Sequence, residues 1–265
     1  MTGRLNGLLQ DYAISMRNLF GEELAGIYLT GSVCFGEFYE GKSDADCTVL
    51  LKTPLEAEKL HEIKKIHLDI ASRYRGILLE SQYISVDNIG KCEADTQPFY
   101  SCHENEISSG KSNASEVTWF TLKNHGITVW GMPADEIDIA TSVSEVKAYV
   151  KANVNGYWRY WLSETRKPAS SKRKLALTNW AVEWCVCGIT RMYFTMMEGD
   201  ITAKGKAAEY GLTCLPESTH KILKEALRIR RCERGGHYDS RYIRRREMIE
   251  YMEYIIEQIQ NLPVK

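Results

Sequence analysis

The stretch that most constrains this chain is 25–51, AGIYLTGSVCFGEFYEGKSDADCTVLL. Two apolar runs, 25–30 and 47–51, have the look of buried strands, and polar chemistry gathers at their inner ends. Gly31-Ser32 closes the first run and Ser43-Asp44-Ala45-Asp46 opens the second. Side chains alternate along a strand, so Asp44 and Asp46 are expected to project from one face. Two carboxylates held that close repel each other, and a hard dication with oxygen ligands is the usual resolution. Most often it is Mg²⁺ bridging to substrate phosphates. Asp and Ser also collect at ordinary strand ends and turns. The whole constellation is more specific: apolar run, Gly-Ser, the spacer 33–42, then S-D-x-D running into CTVLL. Gly31 permits a sharp turn close to a ligand, and Ser32 adds a hydroxyl and an N–H for a phosphate.

The 265 residues suffice for one large domain or two ordinary ones, with the apolar content of a soluble globular protein. A net charge of −1, from 34 basic and 35 acidic residues, gives no electrostatic case for a nucleic-acid partner. No apolar run approaches the length that spans a bilayer, so no membrane association is expected. The N-terminal stretch lacks the compact apolar core of a signal peptide. It reads as an amphipathic helix over 4–20, with Leu5, Leu8, Leu9, Tyr12, Met16 and Leu19 on one stripe. Eight scattered cysteines form no C-x-x-C pair, which argues against zinc and for a reducing cytoplasm. A monomer is expected.

Beyond the first strand, 33–40 reads as a short helix whose N-terminus faces Gly31-Ser32, a placement that suits an anionic phosphate. A helix over 54–74 follows the carboxylate strand, with Pro54 at its start and Leu55, Leu60, Ile63, Ile66 and Ile70 on one face. The next strand, 77–86, carries Glu80 between Leu79 and Ser81, where a carboxylate needs a partner or open water. If this strand lies beside the Asp44/Asp46 strand, Glu80 completes a three-carboxylate cluster. Residues 87–118 read as a long polar loop, a substrate lid or a variable connection. A helix over 115–124 and an apolar run at 126–131 close this half, and His125 reads as a cap or packed residue.

From about Thr141 onward only helical periodicity remains, with helices expected near 142–164, 174–198, 203–211, 216–231 and 240–261. Trp158, Trp161, Trp180, Trp184 and Tyr193 are expected to pack mainly between helices. Arg191 lies in a long apolar helix and Lys204 begins the next. Each is either a structural or solvated charge or a phosphate ligand reaching across an interdomain cleft. Arg228, Arg230, Arg231, Arg234, Arg241, Arg244, Arg245 and Arg246 form a dense basic stretch, read as a solvated helix surface.

The run LTGSVCFGEFYEGKSDADCTVLL resembles the signature of the polymerase β-like nucleotidyltransferase superfamily. The chain is similar, more closely, to aminoglycoside adenylyltransferases of the streptomycin/spectinomycin type. LKNHGITVWGMPADEI and GITRMYFTMMEGDITAKGKAAEYGLTCLPE carry that similarity into the second half. The resemblance implies an α+β fold: a nucleotidyltransferase domain with a mixed sheet and flanking helices over 1–138, and an all-α helical-bundle domain over 139–265. It implies Asp44 and Asp46 as Mg²⁺ ligands, one or two ions, and Glu80 as third carboxylate and catalytic base. It implies Gly31 and Ser32 as phosphate ligands, with Arg191 and Lys204 as the triphosphate-binding pair. Departures fall in the acceptor-binding half. The family's Gly-Glu-Trp segment has no clear counterpart between Tyr100 and Trp119, and Leu177 and Ala181 stand where the family carries an acidic pair. Trp180, Glu183 and Trp184 are the nearby substitutes, and Arg230 replaces an aromatic residue associated with the nucleotide.

The expected activity is Mg²⁺-dependent transfer of AMP from ATP to a hydroxyl of an aminoglycoside-type antibiotic, with release of pyrophosphate. Two alternatives stand beside it: the same chemistry on another small-molecule or protein hydroxyl, and a nucleotide-binding module without turnover.

Overall fold

The computed structural model describes residues 2–91, 99–110 and 114–264, so Cys92 and part of the expected lid loop lie outside the described residues. The chain divides into two compact units, Met1–Thr141 and Ser142–Lys265.

The first unit is a six-stranded mixed sheet flanked by helices. In chain order it runs α1 (Gly3–Phe20), β1 (Leu24–Thr30), β2 (Asp44–Leu51), α2 (Leu60–Arg73), β3 (Leu78–Ser85), β4 (Phe99–His103), β5 (Glu106–Gly110), α3 (Glu116–His125) and β6 (Ile127–Gly131). The spatial order is β5-β4-β3-β2-β1-β6, with β2 and β3 parallel and every other pair antiparallel. Thr2 caps α1 by accepting from the Leu5 N–H, and the expected stripe of that helix packs under the sheet against Ala45, Cys47, Val49 and Leu79. On the opposite face, Tyr28, Leu50 and Ile84 pack with Trp119 and Leu122 of α3.

Three local expectations are corrected. The segment after β1 is a single 3₁₀ turn, Gly31–Phe35, and not a helix to residue 40. Gly36 ends it in the left-handed region at φ 72°, donating back to Ser32 and Val33. Pro54 does not start α2, which begins at Leu60 after a 3₁₀ turn at Ala57–Lys59. The preceding chain is held extended because the Lys52 N–H and the Thr53 hydroxyl both donate to Glu23. The stretch read as a long loop contains the β4–β5 hairpin. Its two turn residues, Glu104 and Asn105, sit at φ 49° and 63°, the backbone of a tight primed turn made without glycine.

The second unit is all helix among its described residues: α4 (Val143–Asn153), α5 (Arg159–Arg166), α6 (Ser171–Leu175), α7 (Asn179–Glu198), α8 (Lys204–Cys214), α9 (His220–Arg230) and α10 (Arg241–Asn261). The expected helix over 142–164 is interrupted by a π turn at Val154–Trp158. The long apolar α7 is the axis of this unit and packs against α8, α9 and α10. Thr178 caps it, and Gly199 at φ 69° ends it.

The basic stretch is not simply a solvated surface. Arg228 and Arg244 both bind Glu225, which is 1% exposed, and Arg230 is buried against Glu183. Acidic residues inside two helices draw these guanidinium groups inward, because a buried carboxylate without a partner is costly. Arg231 and Arg246 remain outside, paired with Glu209 and Glu250. Trp158, Trp161 and Tyr193 are buried as expected, whereas Trp180 is 53% exposed.

Candidate active site

Strand register places the carboxylates. Asp46 lies between Thr30 of β1 and Glu80 of β3, so Asp44, Asp46 and Glu80 share one sheet face. Ala45, Cys47, Leu79 and Ser81 point the other way and are buried. Along the carboxylate face the chemistry grades from acid to apolar. Asp46 is followed by Thr48 and Leu50, and Glu80 by Gln82 and Ile84. Gln82 donates to Thr48 at 2.9 Å in the middle of that gradient. The apolar end belongs to the core that contains Trp119 and Leu122, whereas Asp44, Asp46 and Glu80 are only partly buried.

Gly31 is required where it stands. Its φ is 70°, and a Cβ there would land on the Asp46 carboxylate. The Gly31–Phe35 turn thus lies directly against Asp46 and brings Ser32 to the same end of β2. Burial, then Asp44, and more weakly Asp46, push the Glu80 carboxyl up, while His103 opposes them. The Nδ1 of His103 contacts Glu80 Oε1, and the imidazole is mostly exposed. His103 was not legible as a site residue because the stretch around it reads as loop. The alternation in FYSCH and EISSG on either side of Glu104-Asn105 is the signal that finds it.

Among the described residues no three His, Cys, Asp or Glu side chains close around a single point in the manner of a protein-only metal cage. The donor set nevertheless suits Mg²⁺, which is usually held by one or two carboxylates and completed by phosphate oxygens and water. Asp44 and Asp46 are the pair that fits. The proton affinity of Glu80 rises partly through their negative charge.

The second unit gathers the opposite sign. Glu183, Cys187 and Arg191 recur every four residues and share one side of α7. Lys204 opens α8, and Arg230 ends α9 and donates to Glu183 Oε1 at 3.0 Å. Burial lowers the Lys204 ammonium's pKa, Arg191 and Arg230 lower it further, and Glu183 opposes them. Trp184 sits at the centre of an aromatic group, 4.6 Å from Trp158, 5.4 Å from Trp161 and 5.5 Å from Trp180 between ring centroids. The Trp180 and Trp184 planes are within 12° of parallel. Gly188 makes room for Trp158, since a Cβ there would stand 2.7 Å from the indole. Of the three acceptor-side residues read from the sequence, Trp180 and Trp184 stack together, whereas the Glu183 carboxylate is engaged by Arg230. His125 packs its ring on Phe35 and Phe120.

The chain matches two family profiles. Residues 14–96 match the nucleotidyltransferase domain, and residues 159–258 match the aminoglycoside adenylyltransferase C-terminal domain. The chain thus carries a nucleotidyltransferase domain followed by an aminoglycoside adenylyltransferase C-terminal domain. It is therefore an enzyme of the nucleotidyltransferase class. Spectinomycin 9-adenylyltransferase of Staphylococcus aureus is 21% identical over 275 aligned positions, covering 97% of this chain and 98% of the relative. A crystal structure of spectinomycin adenyltransferase AAD(9) from Enterococcus faecialis, with ATP and spectinomycin, has the same fold. Its TM-score is 0.65 at 14% identity, over 96% of this chain and 99% of that one. The α+β architecture described above, a mixed-sheet unit followed by a helical one, is therefore shared with that structure. Among the described residues no helix is long and apolar enough to cross a membrane.

Proposed function

We propose that this chain transfers AMP from ATP to a hydroxyl of an aminoglycoside-type antibiotic, of the streptomycin or spectinomycin kind, with release of pyrophosphate. The observation that carries this reading is the alignment of Asp46 with Glu80 on the open end of one sheet face, with Gly31 packed on Asp46. The two domain matches support it, and the names of the relatives favour spectinomycin as the first acceptor to try.

Asp44 and Asp46 would hold Mg²⁺, which when bound neutralises the triphosphate and the charge growing on the departing pyrophosphate. Gly31 and Ser32 bind phosphate through their backbone N–H groups and the serine hydroxyl. Arg191 and Lys204 hold the outer phosphates, acting as phosphate ligands by fork and by point charge. Glu80 takes the proton of the acceptor hydroxyl. Burial and two neighbouring aspartates raise its proton affinity, as a general base working near neutral pH requires. The exposed face of Trp180, stacked on Trp184, is suited to a cationic drug. The mixed-sheet unit is thus the nucleotidyltransferase domain, and the helical unit carries the phosphate and drug ligands.

The test is pyrophosphate release from ATP and Mg²⁺ against a panel of aminoglycosides that includes streptomycin and spectinomycin. Release that depends on one drug and is abolished in Asp46→Asn is the expected result. ATP binding without release in the presence of any of these drugs would remove the antibiotic as acceptor.

A further inference from the structure

The contact between His103 and Glu80 is set up by two strand ladders. β3 and β4 pair antiparallel at Ser81/Cys102, Gln82/Ser101 and Tyr83/Tyr100. One step further the same register sets Glu80 opposite His103, and residues directly opposite share a sheet face. His103 ends β4 and pairs with Glu106 of β5 across the Glu104-Asn105 turn, so its backbone is held from both sides. The imidazole thus meets the carboxylate face at the β4 position level with Glu80.

The two carboxylate oxygens of Glu80 are not equivalent. Oε1 is buried, no other donor reaches it among the described residues, and the group against it is the Nδ1 of His103. A buried carboxylate oxygen needs a donor, and an imidazole protonated on Nδ1 is one. The terminal torsion of a glutamate is broad and roughly two-fold, so an unanchored carboxylate exchanges its oxygens freely. Anchoring Oε1 leaves Oε2 as the oxygen that meets a hydroxyl. Such a donor lowers proton affinity, so what the contact supplies is orientation and not basicity. Nor does it supply much stability. The His103 side chain is 67% exposed and that of Glu80 21%, and pairs open to water contribute little to folding.

We propose that His103 is the positioning residue of Glu80: its Nδ1–H holds Oε1 and so aims Oε2 at the acceptor hydroxyl. The proposal rests on the reading of Glu80, made above, as the base that takes that proton.

Two measurements on the full chain test it. The first needs no substrate. Nitrogen NMR of the histidine-labelled protein at about pH 8, where an ordinary imidazole is neutral, reads which ring nitrogen of His103 carries the proton. His103→Ala assigns the signal. The proton is expected on Nδ1, and a proton on Nε2 with Nδ1 bare overturns the proposal. The second measurement is steady-state and single-turnover kinetics with ATP, Mg²⁺ and spectinomycin. His103→Ala should lower kcat by about 10–100-fold, the scale of a displaced reacting group. ATP affinity, KM for spectinomycin and the urea midpoint should stay near wild type. His103→Asn, whose amide nitrogen falls near the place of Nδ1, should recover most of the rate. His103→Gln, whose amide nitrogen falls near the place of Nε2, should not. Wild-type kcat in His103→Ala overturns the proposal, as does a loss confined to KM or an equal rate in the Asn and Gln variants. Glu80→Gln separates the two levels. If that variant keeps turnover, the reading of Glu80 falls first. If it loses turnover while His103→Ala does not, this inference alone falls. Without turnover of spectinomycin by wild type the acceptor assignment falls, and the tautomer still decides whether His103 holds Glu80.

Discussion

The two units use buried charge in opposite ways. In the first, three carboxylates are held by backbone: β2 and β3 run parallel in register, and side-chain alternation puts Asp44, Asp46 and Glu80 on one face. In the second, the cations come from three helices and are held by side chains, with Glu183 on α7 reaching Arg230 on α9. A carboxylate on a strand keeps its position as long as the ladder is intact. A guanidinium on a helix keeps its position only while its ion pair does. The first arrangement is specified by strand alternation alone, and the second depends on how the helices pack.

The largest effect should come from the strand-held site. Glu80→Gln preserves the shape and register of β3 but cannot take a proton. Turnover should drop by about 10²–10⁴-fold, the range expected for losing a general base, with ATP affinity little changed. Single-turnover kinetics beside an ATP titration measures both, and undiminished turnover would remove Glu80 from the mechanism.

The helical unit's dependence on side-chain pairing is tested at Glu225, which Arg228 and Arg244 both bind. Burial alone would raise its pKa, but hydrogen bonds from Arg228, the His237 N–H and Arg244 outweigh burial and hold it at about 2. A carboxyl whose folded pKa is depressed contributes stability above its unfolded value, about 4.3, and loses it as pH falls toward the folded value. Stability should therefore decline between about pH 4.5 and 2 through this group. Glu225→Ala, which strands two arginines, should cost roughly 3–5 kcal/mol at neutral pH and flatten that acid decline. Urea unfolding at a series of pH values reads both. If the variant keeps the wild-type acid profile, the pair does not control that window.

The smallest effect belongs to the exposed ring. Trp180→Ala should raise KM for a cationic drug by an amount equivalent to about 0.5–1 kcal/mol and leave the fold intact. Trp161→Ala removes a ring that is 3% exposed and should cost about 3–5 kcal/mol of stability instead. Thermal unfolding and steady-state kinetics on the two variants separate a binding face from a packing ring. Equal loss of stability in both would end Trp180's assignment to the drug.

Legibility followed the same division. Asp44, Asp46 and Glu80 could be placed because alternation is a property of each strand, and the apolar runs marked where the strands lie. Gly31 could be picked out, though the reason only Gly fits, the Asp46 carboxylate beside it, needed coordinates. The β4–β5 hairpin and His103 escaped because Glu104-Asn105 adopts positive φ without the glycine that normally signals it. The arginine stretch was misread because sequence spacing gives the faces of one helix but not which face meets another.

The sequence by itself determined the run α1, β1, β2, α2 and β3, the mixed α/β first half and helical second half, and the acidic end of two strands, since all of these rest on periodicities two to four residues long. Only the tertiary structure decided that Arg230 is interior and tied to Glu183, and that Glu225 is clamped by Arg228 and Arg244. It also decided that Trp180 shows its face while Trp161 does not. The physical reason is that burial of a charge or ring is a property of the contact between elements. The free energy that decides it, desolvation against pairing, exists only once those elements have met.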